Sequence, residues 1–270
     1  MTDTPSSNSL HTDQILQQLV EACADLPGFV AMSLGGSASA GLADAQSDLD
    51  IHVYWRASLA TSEQRAGRLA GYADAGSVEV DMRFWGLEDH LRIGGRDIEL
   101  IYVHLGDLLD EVERAYGEGL GAEGFATAQL FYVANGRPFY DPDGGLAALR
   151  ERLASYPEAT RRRLLDSHPA LLRAYLRHLR VAQGRGDLLF VQHRRYTIQM
   201  VFFNALFALN RRYHPGEKRL LIHGERCPLR PANCATRWAA AARLAADDPA
   251  LSEALAGLIN DICTLIEEHP

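Results

Sequence analysis

The sequence predicts an α/β domain built on a mixed sheet, followed by an all-α helical domain. Three observations carry this. Short alternating or β-branched runs are separated by helical stretches through the first half of the chain: FVAMSL (29–34), DLDIHVYW (48–55), SVEVDMRFW (77–85) and the two runs flanking Gly94-Gly95. From about residue 145 onward, apolar residues recur at helical spacing alone. Between the two lies NGRPFYDPDGG (135–145), whose two prolines and three glycines make it the best candidate boundary. The expected organisation is a loose polar tail over 1–12, the α/β domain over 13–140 and a helical bundle over 141–270.

Taken in order, residues 13–24 place Ile15, Leu16, Leu19, Val20 and Cys23 on one helical face. FVAMSL is a short buried strand, and the loop Gly35-Gly36-Ser37 follows it. DLDIHVYW is the next strand, and residues 59–74 read as a surface helix carrying Arg65 and Arg68. SVEVDMRFW alternates as a third strand, and LRIGGRDIELIYVHL (91–105) is a hairpin turning at Gly94-Gly95. A helix starts near 107. Beyond the boundary, helices are expected near 145–155, 158–182 with a break or kink at Pro169, 187–213, 232–246 and 249–268. The 187–213 segment is apolar on most sides and reads as the central helix of the bundle.

Composition narrows the function classes. At 270 residues and 47% apolar, the chain buries an ordinary core. No run of eighteen apolar residues occurs, so no membrane span is expected. Cys23, Cys227, Cys234 and Cys263 are scattered, form no disulfide framework, and fit a reducing cytoplasm. Cys227 and Cys234 lack zinc-ligand spacing and read as buried thiols. Residues 1–150 hold 9 Lys+Arg against 23 Asp+Glu, and residues 151–270 hold 18 against 12. The acidic half argues against broad nucleic-acid binding. An acidic half joined to a basic one leads us to expect two domains facing a shared site.

The stretch with most chemistry is GGSASAGLADAQSDLD (35–50). On a strand, residues two apart share a face, so Asp48 and Asp50 project together while Leu49 points into the opposite layer. Bare, the two carboxylates repel; a divalent cation removes that penalty, and hard oxygen donors suit magnesium. Upstream, Gly35, Gly36 and Ser37 let backbone N–H groups and a hydroxyl approach an anion.

These residues resemble the signature of the DNA polymerase β-type nucleotidyltransferase superfamily, with Gly36, Ser37, Gly41, Ala43, Ser47, Asp48 and Asp50 on its positions. A weaker resemblance from IYVHLGDLLDEV to FALNRRYHPGEKRLL is to uncharacterised bacterial nucleotidyltransferases with a helical C-terminal domain, a layout shared with antibiotic adenylyltransferases. The resemblance implies that 13–140 is a nucleotidyltransferase domain. The implied reaction moves a nucleoside monophosphate, AMP from ATP, to a hydroxyl acceptor with two magnesium ions. Asp48 and Asp50 would hold metal, and Gly36 and Ser37 the phosphates. The family also expects a third carboxylate on a neighbouring strand, acting as metal ligand or proton acceptor. Glu99, in RDIELIYV, is the favoured candidate and Asp81, in VEVDMRF, the alternative. Many members carry an arginine where this chain has Ala40, so another cation is expected at the nucleotide; Lys218, the only lysine, is the candidate.

The acceptor is expected to be a small molecule, and an acidic cleft suits a cationic one such as an aminoglycoside. The alternatives are adenylylation of a partner protein and a non-catalytic nucleotide-binding regulator. Tyr54 and Trp55 read as core or rim aromatics with base stacking as the rival role, His193 as a surface histidine, and Asn204 as a buried, satisfied amide.

Overall fold

The computed structural model describes residues 7–35, 48–84, 86–121 and 124–270, with side chains from residue 12 onward. The chain divides into two compact units, one of Met1–Asp110 with Tyr132–Ala154 and one of Glu111–Phe131 with Ser155–Pro270. The strand-bearing unit is discontinuous in sequence, taking Tyr132–Ala154 but not Glu111–Phe131.

Among the described residues the first unit holds six strands: β1 (Phe29–Leu34), β2 (Leu49–Trp55), β3 (Glu79–Met82), β4 (Leu87–Ile93), β5 (Arg96–His104) and β6 (Arg137–Tyr140). They form one mixed sheet in the order β3-β4-β5-β2-β1-β6. Among the described residues, β2 and β5 pair in parallel and the other four pairings are antiparallel. One face is covered by α1 (Ser7–Cys23) and α2 (Ser62–Leu69). Ile15, Leu16 and Leu19 of α1 and Leu69 of α2 pack there with Leu49, Ile51, Val53, Ile98 and Leu100 of the central strands. Successive side chains alternate between faces, so these strands send their even-numbered β2 residues and odd-numbered β5 residues to the second face.

Two differences from the sequence reading have local causes. The helix expected over 59–74 covers only Ser62–Leu69. It starts at a Thr61–Gln64 capping box and stops where Asp74 is needed elsewhere, its carboxylate accepting from the N–H groups of Gly94 and Gly95 at 3.0 and 2.8 Å in the hairpin turn. The boundary segment 135–145 holds a strand, β6, on the sheet edge against β1. Pro138 fits there because an edge strand has one side with no ladder to donate to.

The second unit is helical. Its principal elements are α6 (Glu158–Gly184), α7 (Leu188–Leu209), α8 (Leu220–Glu225), α9 (Cys234–Arg243) and α10 (Pro249–Glu268). In chain order these follow α3 (Leu105–Gly117), α4 (Ala128–Asn135) and α5 (Gly145–Arg152). From Val201 to Leu209 every residue of α7 is buried, as its all-round apolar sequence requires, and α6, α8 and α10 pack on it. α6 runs through Pro169 without a break. The lost N–H bond is offset by Leu164, Leu165, Leu172 and Leu176, buried on both sides of it. α10 is long and apolar enough by composition to cross a membrane, yet Leu251, Leu255, Leu258, Ile259 and Ile262 are buried within the bundle.

Candidate active site

The second face of the sheet carries the site residues of the first unit. Asp48 is exposed and immediately precedes β2. Leu49, fully buried, points into the helix-covered core, and Asp50, half-buried, returns to the second face. Across the parallel pairing, Asp50 is the direct register partner of Glu99. Register partners on neighbouring strands project to one face, with the strands about 4.7–4.9 Å apart, so the sheet itself sets these two carboxylates side by side. The row continues outward through His90 of β4, the partner of Glu99, to Glu79 of β3. Glu88, 2% exposed, lies 3.3 Å from His90 Nε2, and the exposed Phe84 ring stacks on His90 at 5.9 Å.

The end of β1 is tied to the same place. Gly35 N–H donates to the Asp50 carbonyl at 2.8 Å, fixing where the chain enters the glycine loop relative to the carboxylate strand. Glycine is required there. A Cβ on Gly35 would lie 2.4 Å from His52 Cε1 and 2.6 Å from His52 Nδ1. His52 is 3% exposed, its ring 5.1 Å from that of Tyr132, and burial lowers its pKa to about 4, so the imidazole is neutral. Its Nδ1 has no hydrogen-bond partner among the described residues.

Asp81, the alternative third carboxylate, is committed elsewhere. Its backbone is left-handed (φ 62°), and the β3–β4 register slips between Glu79 and Met82. The alternation that would put Asp81 beside Glu79 is thereby broken, and its side chain turns to α2. There it pairs with Arg65 at 2.7 Å and accepts from Ser62, contacts that hold its carboxyl below the usual range.

Gly36, Ser37 and Ala40 lie outside the described residues. Lys218 is exposed in the second unit, two residues after Gly216 (φ 91°), whose N–H donates to His214 Nδ1 at 3.1 Å. Among the described residues no group of three or more His, Cys, Asp or Glu side chains is gathered as a metal cluster. What the sheet brings together is the pair Asp50 and Glu99, with Asp48 two residues upstream. As a donor set these are hard carboxylate oxygens, the type magnesium takes.

The remaining candidates have ordinary places. Tyr54 is 1% exposed, its hydroxyl 3.2 Å from Ser33 Oγ, so it is a core residue and offers no stacking surface. Trp55 rests 4.5 Å from the His104 ring. Asn204 is satisfied by Ala126 N and Gly124 O, His193 is exposed, and all four cysteines are buried free thiols. His52 and His90 went unmarked in the sequence. The alternation D-L-D-I-H held the signal for His52, two residues beyond Asp50; His90 is tied to Glu99 only by strand register.

A family model described as a domain of unknown function (DUF4037) matches residues 124–220. No curated protein matches the chain. Among solved structures, the chain is similar to a nucleotidyltransferase-like protein from Exiguobacterium sibiricum 255-15 at 14% identity and a TM-score of 0.44, over 95% of this chain and 75% of that one. It is also similar to the spectinomycin adenyltransferase AAD(9) from Enterococcus faecialis, a structure with ATP and spectinomycin, at 15% identity and a TM-score of 0.34, over 96% of both chains. Likenesses this distant fix neither the activity nor the ligands of this chain.

Proposed function

We propose that the protein is a nucleotidyltransferase that moves AMP from ATP to a hydroxyl acceptor. The observation that carries this reading is the register pairing of Asp50 with Glu99 on neighbouring parallel strands, with Gly35 N–H donating to the Asp50 carbonyl. Two half-buried carboxylates set side by side are the donor arrangement that a divalent cation takes at a phosphate-transfer site. Magnesium, where bound, would be held by Asp48, Asp50 and Glu99 and would neutralise phosphate oxygens of the nucleotide.

In this reading the acceptor oxygen attacks the α-phosphorus, the bond from the α-phosphorus to the bridging oxygen breaks, and pyrophosphate leaves. Glu99 takes the acceptor's proton. Gly36 and Ser37 hold the phosphates through backbone N–H groups and the hydroxyl, and Lys218 is the proposed additional phosphate ligand. The acceptor we propose is a cationic small molecule such as an aminoglycoside, drawn by the carboxylates of the row from Asp50 to Glu79.

The test is pyrophosphate release from ATP with magnesium against a panel of aminoglycosides, read together with the mass of the acceptor. Release matched by an acceptor gain of one AMP, and lost in Asp50→Asn, supports the reading. Failure of any nucleoside triphosphate to bind or turn over contradicts it.

A further inference from the structure

The hairpin end between α6 and α7 carries apolar side chains that the bundle leaves uncovered. α7 is apolar on all sides, yet it is fully enclosed only from Val201 to Leu209. Nearer its start, Leu188, Leu189, Phe190 and Tyr196 are exposed, Leu189 by 83%. Val181, in the last turn of α6, is exposed as well. The connection through Arg185, Gly186 and Asp187 is tight: Arg185 N–H donates to Val181 O at 3.2 Å and Asp187 N–H to Ala182 O at 3.0 Å. Val181, Leu188 and Leu189 therefore lie within one helical turn of the same hairpin end. A cluster of rings stands one turn deeper. The Arg194 guanidinium lies 4.7 Å from the centre of the Phe190 ring and 5.1 Å from that of Tyr175 on α6. His193 stacks on Phe190 and His178 tilts against Tyr175, each at 6.3 Å.

The charge of this end is one-sided. Residues 177–195 hold five arginines and one acid, Asp187, which caps α7 by accepting from Phe190 N–H at 3.2 Å. Arg180 pairs with Glu253 at 2.9 Å, and Arg195 donates to Leu244 O at 3.0 Å. Arg177, Arg185 and Arg194 hold no carboxylate among the described residues. Gln183 ties the turn before α10 to the end of α6 through Ala246 O and Asp248 O. Of the acids on that turn, Asp248 caps α10 and Asp247 is a single exposed carboxylate. Neither the aliphatic tip nor its three unpaired cations contributes to the core of the bundle. Exposed apolar groups ringed by polar ones mark a surface that meets another molecule or a membrane.

We propose that the α6–α7 hairpin end is a docking surface for an anionic lipid bilayer. The order of groups along the hairpin is the order across a membrane surface, with aliphatic side chains outermost and rings and guanidiniums behind them. At about 1.5 Å of rise per residue, Leu189 and Arg194 stand about 7.5 Å apart along α7. That matches the roughly 5–10 Å by which interfacial apolar groups sink below the headgroups. Val181, Leu188 and Leu189 reach the acyl boundary, while Arg177, Arg185 and Arg194 meet lipid phosphates. Arg185, in the turn itself, has a stem long enough to carry its guanidinium back to the headgroups. A second copy of the chain is disfavoured by charge, because two such ends would bring their unpaired arginines together. An acidic protein would match the cations, but a hairpin end gives it no apolar face to close over. The surface lies wholly in the helical unit and stands whether or not the carboxylate reading holds.

The experiment is flotation of the full chain with vesicles of phosphatidylcholine alone and of an equimolar phosphatidylcholine–phosphatidylglycerol mixture, at low and high salt. The parent is expected to float with the anionic vesicles, less so as salt rises, and to stay largely free of the zwitterionic ones. Leu188→Ser/Leu189→Ser is expected to weaken binding about tenfold or more without moving the unfolding midpoint, since both side chains are exposed. Arg177→Gln and Arg185→Gln are expected to weaken it about fivefold each, while Arg177→Lys and Arg185→Lys keep most of it, because a lipid surface reads charge more than fork geometry. The proposal is overturned if the parent does not bind anionic vesicles at low salt, or if the serine variant floats as the parent does. It is equally overturned if light scattering shows the parent associating with itself through Leu189 and no vesicle is bound, which assigns the tip to a second copy. Binding of polyglutamate without binding of vesicles assigns it to an acidic protein and overturns the proposal too.

Discussion

The two faces of the sheet treat negative charge in opposite ways. On the helix-covered face, Asp89 is completely buried and its compensation is built in. Arg65, itself 2% exposed, donates to it through Nε at 2.7 Å and Nη2 at 3.1 Å, Tyr102 donates its hydroxyl at 2.7 Å, and the guanidinium lies 5.0 Å over the Tyr102 ring. That carboxylate is used up by the fold. On the second face, Asp50 and Glu99 stand in adjacent register positions, half-buried, with Asp48 exposed beside them. The comparison separates a fully buried carboxylate that specifies packing from the half-buried carboxylates on which the proposed site rests. Both kinds sit on neighbouring strands, and only their direction differs.

The comparison breaks most visibly at Asp89. Asp89→Ala leaves Arg65 in the core without its main partner, a loss expected to cost about 3–5 kcal/mol in denaturant unfolding. Replacing both partners by apolar residues, Arg65→Met with Asp89→Leu, should recover much of it. A cost below about 1 kcal/mol for the single variant would mean that the pair is not what holds α2 to the sheet.

Glu99→Gln asks the reciprocal question on the other face. Turnover should fall about 10²–10⁴-fold with little change in unfolding midpoint. Asp81→Asn, which touches only the Arg65 network, should leave turnover near the parent value. Activity that depends on Asp81 and not on Glu99 would reverse the assignment of the two strands.

Gly35→Ala probes the joint between β1 and the carboxylate strand. The methyl group meets the His52 ring, so the variant should lose about 1–3 kcal/mol of stability and bind Mg-ATP more weakly. Adding His52→Ala makes room, and the two changes should cost less together than separately, a coupling readable by a double-mutant cycle. Strict additivity would show that the imidazole does not set the position of Gly35.

A last effect, on acid stability, lies in the helical unit. His168 is buried with its pKa lowered to about 4 by burial, and Nε2 has no partner among the described residues. A histidine lowered from 6.5 in the unfolded chain contributes stability that is full above that value and is lost as pH falls toward about 4. The slope over that window is at most about 1.4 kcal/mol per pH unit. His168→Gln should flatten this part of the stability profile, measured by unfolding at pH 7 and pH 4.5.

How much of this was legible in the sequence follows from which interactions are local. The alternation of β2, the Gly94-Gly95 hairpin and the all-round apolar α7 are patterns within one segment, and each is where the sequence put it. The pairing of Asp50 with Glu99 depends on a parallel register between strands 49 residues apart, which only the assembled sheet displays. The favoured choice of Glu99 rested on strand layout, whereas the turn of Asp81 toward Arg65 and Ser62 depends on a left-handed residue and a register slip invisible in VEVDMRF. β6 was hidden because Pro138 reads as punctuation until the strand is known to lie at an edge.

The most direct test of the central claim is calorimetric binding of Mg-ATP to the parent and to Asp50→Asn, with thermal unfolding of both measured alongside. The account predicts that the parent binds and that Asp50→Asn loses binding and turnover while its unfolding temperature stays the same or rises, since one of two neighbouring like charges is gone. Equal Mg-ATP affinity in the two proteins would contradict it and remove the metal–nucleotide role from the second face of the sheet.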